Sequence, residues 1–139
     1  MLIGEYEHSL DPKGRIIVPQ KMRDALGDQF VITKGLDDCL FVYPMNEWVK
    51  FEERINGMPL TQAKGLQRFF FSRACEALPD KQGRVLIPQE LRDYAGLTKD
   101  VVIIGASVRA EIWDKARWER ENQEMSSQEA QLLLEKLGF

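Results

Sequence analysis

The sequence predicts an α+β protein, mainly β with added helices, in which two internal repeats close on each other to form one barrel-like core. The first observation behind this is a stretch that occurs twice. Asp11-Pro12-Lys13-Gly14-Arg15-Ile16-Ile17-Val18-Pro19-Gln20 returns 69 residues later as Asp80-Lys81-Gln82-Gly83-Arg84-Val85-Leu86-Ile87-Pro88-Gln89, and the match runs on through Arg23-Asp24 and Arg92-Asp93 to Gly27 and Gly96. Of the seventeen positions compared, eight are identical and four more exchange one aliphatic or Met side chain for another. The second observation is length. Each repeat, roughly Met1–Phe51 or Cys75–Glu121 of the 139 residues, is near the size at which a lone core barely outweighs chain entropy, so the halves are expected to share one core with pseudo-twofold symmetry. The boundaries read from this pattern are 1–54 for the first unit, 55–74 for a helical connection, 75–121 for the second unit and 122–139 for a helical extension.

Taken in order, Leu2–Leu10 alternates loosely and reads as a strand leading into a turn at Asp11. An aspartate at the first turn position accepts a backbone hydrogen bond, Pro12 fixes φ, and a glycine at the fourth position can take the left-handed conformation of a bulged hairpin. Asp11, Gly14, Asp80 and Gly83 are therefore the turn-forming residues. Arg15–Val18 is expected to be the hairpin partner of Leu2–Leu10; its apolar run Ile16–Val18, like Val85–Ile87, reads as a strand buried on both faces and stops at Pro19, which suits the first position of a short helix ended by Gly27. Phe30–Thr33 and Leu40–Tyr43 read as two further strands joined at Gly35-Leu36-Asp37-Asp38. The second unit repeats this order, with Val101–Ile104 and Glu111–Trp113 as the matching strands and Trp118 falling on Trp48 at a spacing of 70. Thr61 is a candidate cap for the connecting helix. Phe69-Phe70-Phe71 is too apolar to be left in water, and packs either under the barrel or against another chain. Ser126-Ser127-Gln128-Glu129 has capping-box spacing, and the leucines from Leu132 to Leu137 after it form a stripe that docks on its own protein or on a second subunit.

The chemistry offered is that of binding. The sole histidine, His8, has no counterpart in the other repeat, and no nucleophile elbow, Walker loop or dinucleotide fingerprint occurs, so neither catalysis, a cofactor nor a small-molecule substrate is expected. Cys39 and Cys75 occupy unrelated repeat positions without metal-ligand spacing, which reads as two reduced thiols. No apolar run approaches the roughly 20 residues of a membrane span, and no signal-peptide pattern opens the chain; a cytoplasmic protein is expected. The net charge of −3 does not announce a nucleic-acid partner. Local charge does more: Lys13, Arg15, Lys21 and Arg23 against Asp11 make a local +3 over Asp11–Arg23, whereas Asp114–Glu135 carries much of the acid. Arg15 and Arg84 at the turn rims can pair with Asp11 and Asp80 merely to brace the turns, or can reach a duplex, where arginine reads guanine through two parallel hydrogen bonds. Spacing leaves both readings open, along with an assembly protein that binds a partner through Leu132–Leu137.

A resemblance bears on that choice. The doubled DxxGRxxxP pattern at Asp11–Pro19 and Asp80–Pro88, the two Pro-Gln-x-x-Arg-Asp helix starts, and Gly105 to Ile112-Trp113-Asp114 resemble the MraZ family of bacterial transcriptional regulators, built from two SpoVT-AbrB domains. The resemblance covers essentially the whole chain. It implies an AbrB-like swapped-hairpin, double-split β-barrel, a ring-shaped homo-oligomer located on the nucleoid, and binding to double-stranded DNA at repeated sites ahead of the division and cell-wall gene cluster, its own operon included, usually as a repressor. It also implies that Arg15 and Arg84 contact DNA; Lys13, Lys81, Lys21, Arg23 and Arg92 are then expected to add phosphate contacts or to brace the loops. The second copy has Lys81-Gln82 where the first has Pro12-Lys13, so the two loops need not be equivalent on DNA.

Overall fold

The computed structural model describes residues 1–139. Eight strands and six helices follow in the order β1 (Glu5–Ser9), β2 (Arg15–Ile17), α1 (Gln20–Leu26), β3 (Phe30–Lys34), β4 (Leu40–Pro44), α2 (Met45–Asn56), α3 (Leu60–Leu66), a π-helical turn (Gln67–Phe71), β5 (Cys75–Ala77), β6 (Arg84–Leu86), α4 (Gln89–Ala95), β7 (Asp100–Gly105), β8 (Ala110–Asp114), α5 (Lys115–Glu121) and α6 (Ser127–Glu135). The expected α+β class holds, and the repeat order is kept in both halves.

Six strands form one antiparallel sheet in the order β1-β7-β8-β4-β3-β5, and β2 and β6 pair separately as a two-stranded ribbon. The sheet order is palindromic in repeat terms. Its centre is the β4–β8 pair, in which Phe41 lies opposite Glu111, its own repeat equivalent. The ribbon has the same symmetry, with Ile16 opposite Val85. A pseudo-twofold axis therefore passes through both layers. The sheet does not close on itself, so the expected barrel is an open sheet with β1 and β5 at its edges, covered on one face by the ribbon.

The expected first hairpin is overturned. Arg15–Val18 is not the hairpin partner of the first strand, because β1 pairs instead with β7 over five residue pairs from Glu5–Ile104 to Ser9–Asp100. The Asp11 turn closes locally, but its outgoing strand crosses to the other repeat, as the swapped-hairpin resemblance implies. The reason lies in burial. A three-residue strand has one inward side chain, and pairing β2 with its own copy sets Ile16 and Val85, 1% and 2% exposed, side by side over the sheet. Each such burial stabilises by about 1.5–3 kcal/mol.

The main core lies between the inner sheet face, with Phe30, Ile32, Leu40, Val42, Val101, Ile103 and Ile112, and a lid made by the ribbon, α1 and α4, with Ile16, Val18, Met22, Leu26, Val85, Ile87 and Leu91. Both repeats contribute to both layers. Helix α1 begins after Pro19 and ends at Gly27 with φ +88°, and α4 begins after Pro88 and ends at Gly96 with φ +63°. A second core covers the outer face of the first repeat, where Phe41, Tyr43, Trp48, Phe51, Phe70 and Phe71 pack ring against ring. The phenylalanine run is thus intrachain core: Phe70 is buried, Phe69 and Phe71 are half-buried, and the Thr33 hydroxyl donates to the Phe70 carbonyl. Thr61 does not cap α3, which begins after Pro59 without a side-chain cap.

The C-terminal leucines do not dock on their own chain. Ser126 caps α6 by accepting the Glu129 amide at 3.1 Å, as its spacing predicts, yet Leu132, Leu133, Leu134 and Leu137 stay 47–74% exposed. No helix is long and apolar enough to cross a membrane.

Candidate nucleic-acid interface

The two turns are built alike to within 0.1 Å in each matched hydrogen bond. Asp11 Oδ1 accepts the amides of Lys13 and Arg15 at 2.9 Å each, and Asp80 Oδ1 accepts those of Gln82 and Arg84 at the same distances. Oδ2 of Asp11 accepts Arg15 Nε at 2.7 Å, and Oδ2 of Asp80 accepts Arg84 Nε at 2.8 Å. Gly14 and Gly83 have φ of +81° and +82°, where an L side chain is strained. These bonds stabilise the charged aspartates. Asp80 titrates at about 2 rather than 3.8, mainly because the Arg84 amide and then its guanidinium favour the carboxylate. Asp11 is lowered in the same direction, the Arg15 amide being the largest cause.

Both readings of Arg15 and Arg84 are compatible in one geometry. Nε is committed to the aspartate, while the two terminal nitrogens of each guanidinium have no protein partner. The side chains are 28% and 34% exposed, so the aspartate holds the group by one edge and leaves the fork free. That fork is the part which makes two parallel hydrogen bonds to a planar acceptor pair.

The bracing of the loops is done across the repeats, by Arg23 and Arg92. Arg92 Nε donates to the Ile87 carbonyl at 2.9 Å, and its guanidinium lies so close over Gly14 that a Cβ there would stand 2.5 Å from Cζ. Arg23 Nε donates to the Val18 carbonyl at 3.0 Å, with its guanidinium over Gly83 at 2.7 Å by the same measure. The backbone completes the exchange, Val18 N–H donating to the Gly83 carbonyl and Ile87 N–H to the Gly14 carbonyl at 2.9 and 3.0 Å. Each turn is therefore fastened to the strand and helix of the other half.

Lys13, Lys21 and Lys81 are exposed, the first and last on the turns and Lys21 on α1. The helices are less alike than the turns. Glu90 stands on α4 where α1 has Lys21, and it pairs with Arg73. Arg73 was not singled out by the sequence, since it lies outside the repeated stretch. The expectation that both strands are buried on both faces is overturned at Ile17 and Leu86, which are 46% and 56% exposed between the two arginines because the ribbon covers the sheet with one face only.

Residues 1–67 and 70–135 match the model of a family described as "MraZ protein, putative antitoxin-like". The chain belongs to the MraZ family. Its MraZ relatives include one from Clostridium beijerinckii, 58% identical over 125 residues and 88% of both chains, and one from Natranaerobius thermophilus, 57% identical over 129 residues, 91% of this chain and 90% of the other. A third, from Caldicellulosiruptor bescii, is 52% identical over the full length of both. Each of these relatives carries the name "Transcriptional regulator MraZ".

Proposed function

We propose that the chain is a sequence-specific DNA-binding transcriptional regulator, a repressor of the division and cell-wall gene cluster and of its own operon, that binds repeated upstream sites as an oligomer. The observation that carries this reading is the pair of aspartate-anchored arginines on one symmetric ribbon, each with its guanidinium fork free. Arg15 and Arg84 read base edges, Lys13, Lys21 and Lys81 approach phosphates, and Arg23 and Arg92 hold the loops in place. The names of the MraZ relatives support the regulatory role. Residues 1–54 and 75–121 act as two SpoVT-AbrB domains that share one core, joined by 55–74. Self-association, in a ring, uses the exposed leucines of α6 and the 122–139 extension. Such a protein works in the cytoplasm on the nucleoid.

A gel shift against the region upstream of the gene, with salt titration, tests the reading. Specific binding is expected to weaken linearly in log–log terms, with a slope of about −0.9 per phosphate neutralised. Binding no tighter than to scrambled DNA of equal length would refute it.

A further inference from the structure

The ribbon has two faces of opposite character. Because side chains alternate along a strand and directly opposed residues share a face, Arg15, Ile17, Arg84 and Leu86 all point away from the sheet, while Ile16 and Val85 point into the core. The cross-strand pairs on the outer face are Arg15 with Leu86 and Ile17 with Arg84. Strand geometry puts the two arginine Cα atoms on a diagonal roughly 8–9 Å long. The outer face is thus a checkerboard in which two guanidinium forks alternate with two aliphatic side chains.

A single exposed aliphatic residue means little. Here the repeat supplies a comparison within the chain. At the exposed positions 12/81 and 21/90 the two copies have diverged, to Pro and Lys and to Lys and Glu, yet the outward ribbon position is aliphatic in both, as Ile17 and Leu86. Folding does not ask for this, because a polar β-former such as threonine would serve a solvent-facing strand position equally well. The ribbon is also held firmly, by the two backbone bonds between turns and strand ends and by Arg23 and Arg92.

We propose that Ile17 and Leu86 are specificity-determining residues that read thymine C5-methyl groups in the DNA major groove, beside the guanines taken by Arg84 and Arg15. This rests on the DNA-binding reading above and goes further, to the chemistry of the bases chosen. The occupant is duplex DNA because the aliphatic pair is framed by two exposed cationic forks without a protein partner, on a two-stranded ribbon that fits a groove about 12 Å wide. The thymine methyl is the apolar group that this groove offers, and guanine O6 and N7 are the acceptors that suit an arginine fork.

The test uses the full-length protein and its own upstream region, amplified either with thymidine or with deoxyuridine, which lacks only that methyl. Wild-type protein is expected to bind the uracil DNA about four-fold more weakly for each methyl contact, or about fifteen-fold for one ribbon using both. The Ile17→Ala/Leu86→Ala double variant should bind the thymidine DNA as weakly as wild type binds the uracil DNA, and lose little more when uracil is introduced. An Ile17→Thr/Leu86→Thr pair keeps β-propensity and serves if alanine loosens the ribbon. Arg84→Lys should weaken binding but keep the wild-type thymidine-to-uracil ratio. Specific binding with equal affinity for both DNAs, or an unchanged ratio in the double variants, would overturn this proposal and leave the regulator standing. Absence of specific binding to either DNA would remove both. Loss of self-association in the double variants with the ratio unchanged would instead assign this face to a second copy of the chain.

Discussion

Gly14→Ala should cost more in the presence of Arg92 than in its absence. Two penalties meet at Gly14. A left-handed φ of +81° costs a side-chain-bearing residue about 1–2 kcal/mol. The added Cβ would also stand 2.5 Å from Arg92 Cζ, so the guanidinium must swing away and give up its bond to the Ile87 carbonyl. A hydrogen bond from a charged donor contributes about 1.5–3 kcal/mol, and the low end applies because Arg92 is half-buried and water recovers part of it. Gly14→Ala should then destabilise by about 2.5–3.5 kcal/mol. In an Arg92→Ala background nothing remains to be displaced, and only the φ penalty of about 1–2 kcal/mol is left. The coupling in this double-mutant cycle is therefore about 1.5 kcal/mol, read by urea unfolding of the four proteins at one fixed concentration so that subunit association does not vary. Gly83 with Arg23 should give the same coupling, and Gly14 with Arg23 none. Additivity within about 0.5 kcal/mol for Gly14 and Arg92 would refute the cross-repeat brace.

Arg15→Ala and Arg84→Ala should each shift thermal stability little, since half-exposed ion pairs contribute about 0–1 kcal/mol, yet each should abolish specific binding in gel shifts; variants that fold and bind the upstream repeats like wild type would remove these residues from the site. Arg→Lys at the same positions should keep the salt-sensitive phosphate attraction and a weakened specific binding, with about 1–3 kcal/mol of discrimination lost per affected base. Both turn aspartates have depressed native pKa values, so their stabilising contribution is complete above the ordinary 3.8 and is lost as pH falls through the native value, about 2 for Asp80. Asp80→Asn should flatten that acid limb, which amide exchange at Arg84 followed from pH 5 to pH 2 would reveal. A fragment ending at Met58 should be unfolded or dimeric, because β3 and β4 lose β5 and β8; a cooperatively folded monomer in dilute ultracentrifugation would contradict the shared core.

Local rules carried the sequence reading as far as local interactions reach. The turns, the helix ends at Gly27 and Gly96, the β3–β4 hairpin and the Ser126 cap are set by residues within a few positions of one another, and each was legible. The destination of β2 was not. Turn chemistry fixes how the chain leaves Asp11 but is silent on which edge the next strand meets, and that is decided by Val85, 69 residues away. The same limit hid what Arg23 and Arg92 touch, because a charge count treats them like Lys21 whereas packing sets them on glycines of the opposite repeat. Leucines at helical spacing look identical whether a helix folds back or stands clear, so the exposure of α6 could be learned only from the structure.

The pair at the centre of the sheet bears on how such a molecule arises. In a dimer of identical halves, a residue on the twofold axis meets its own copy, and every change there is made twice. Here the axis carries Phe41 against Glu111, and the glutamate is answered from within its own half, by Arg109 Nη2 at 2.8 Å and Trp113 Nε1 at 3.0 Å, while Arg109 covers the Phe41 ring at 4.3 Å. Two copies of the second half would bring two glutamates together in a nearly buried position, and two copies of the first would supply neither the arginine nor the carboxylate. Joining the halves in one chain releases this position from self-complementarity: one half supplies the aromatic ring and the other the glutamate with its arginine and indole partners.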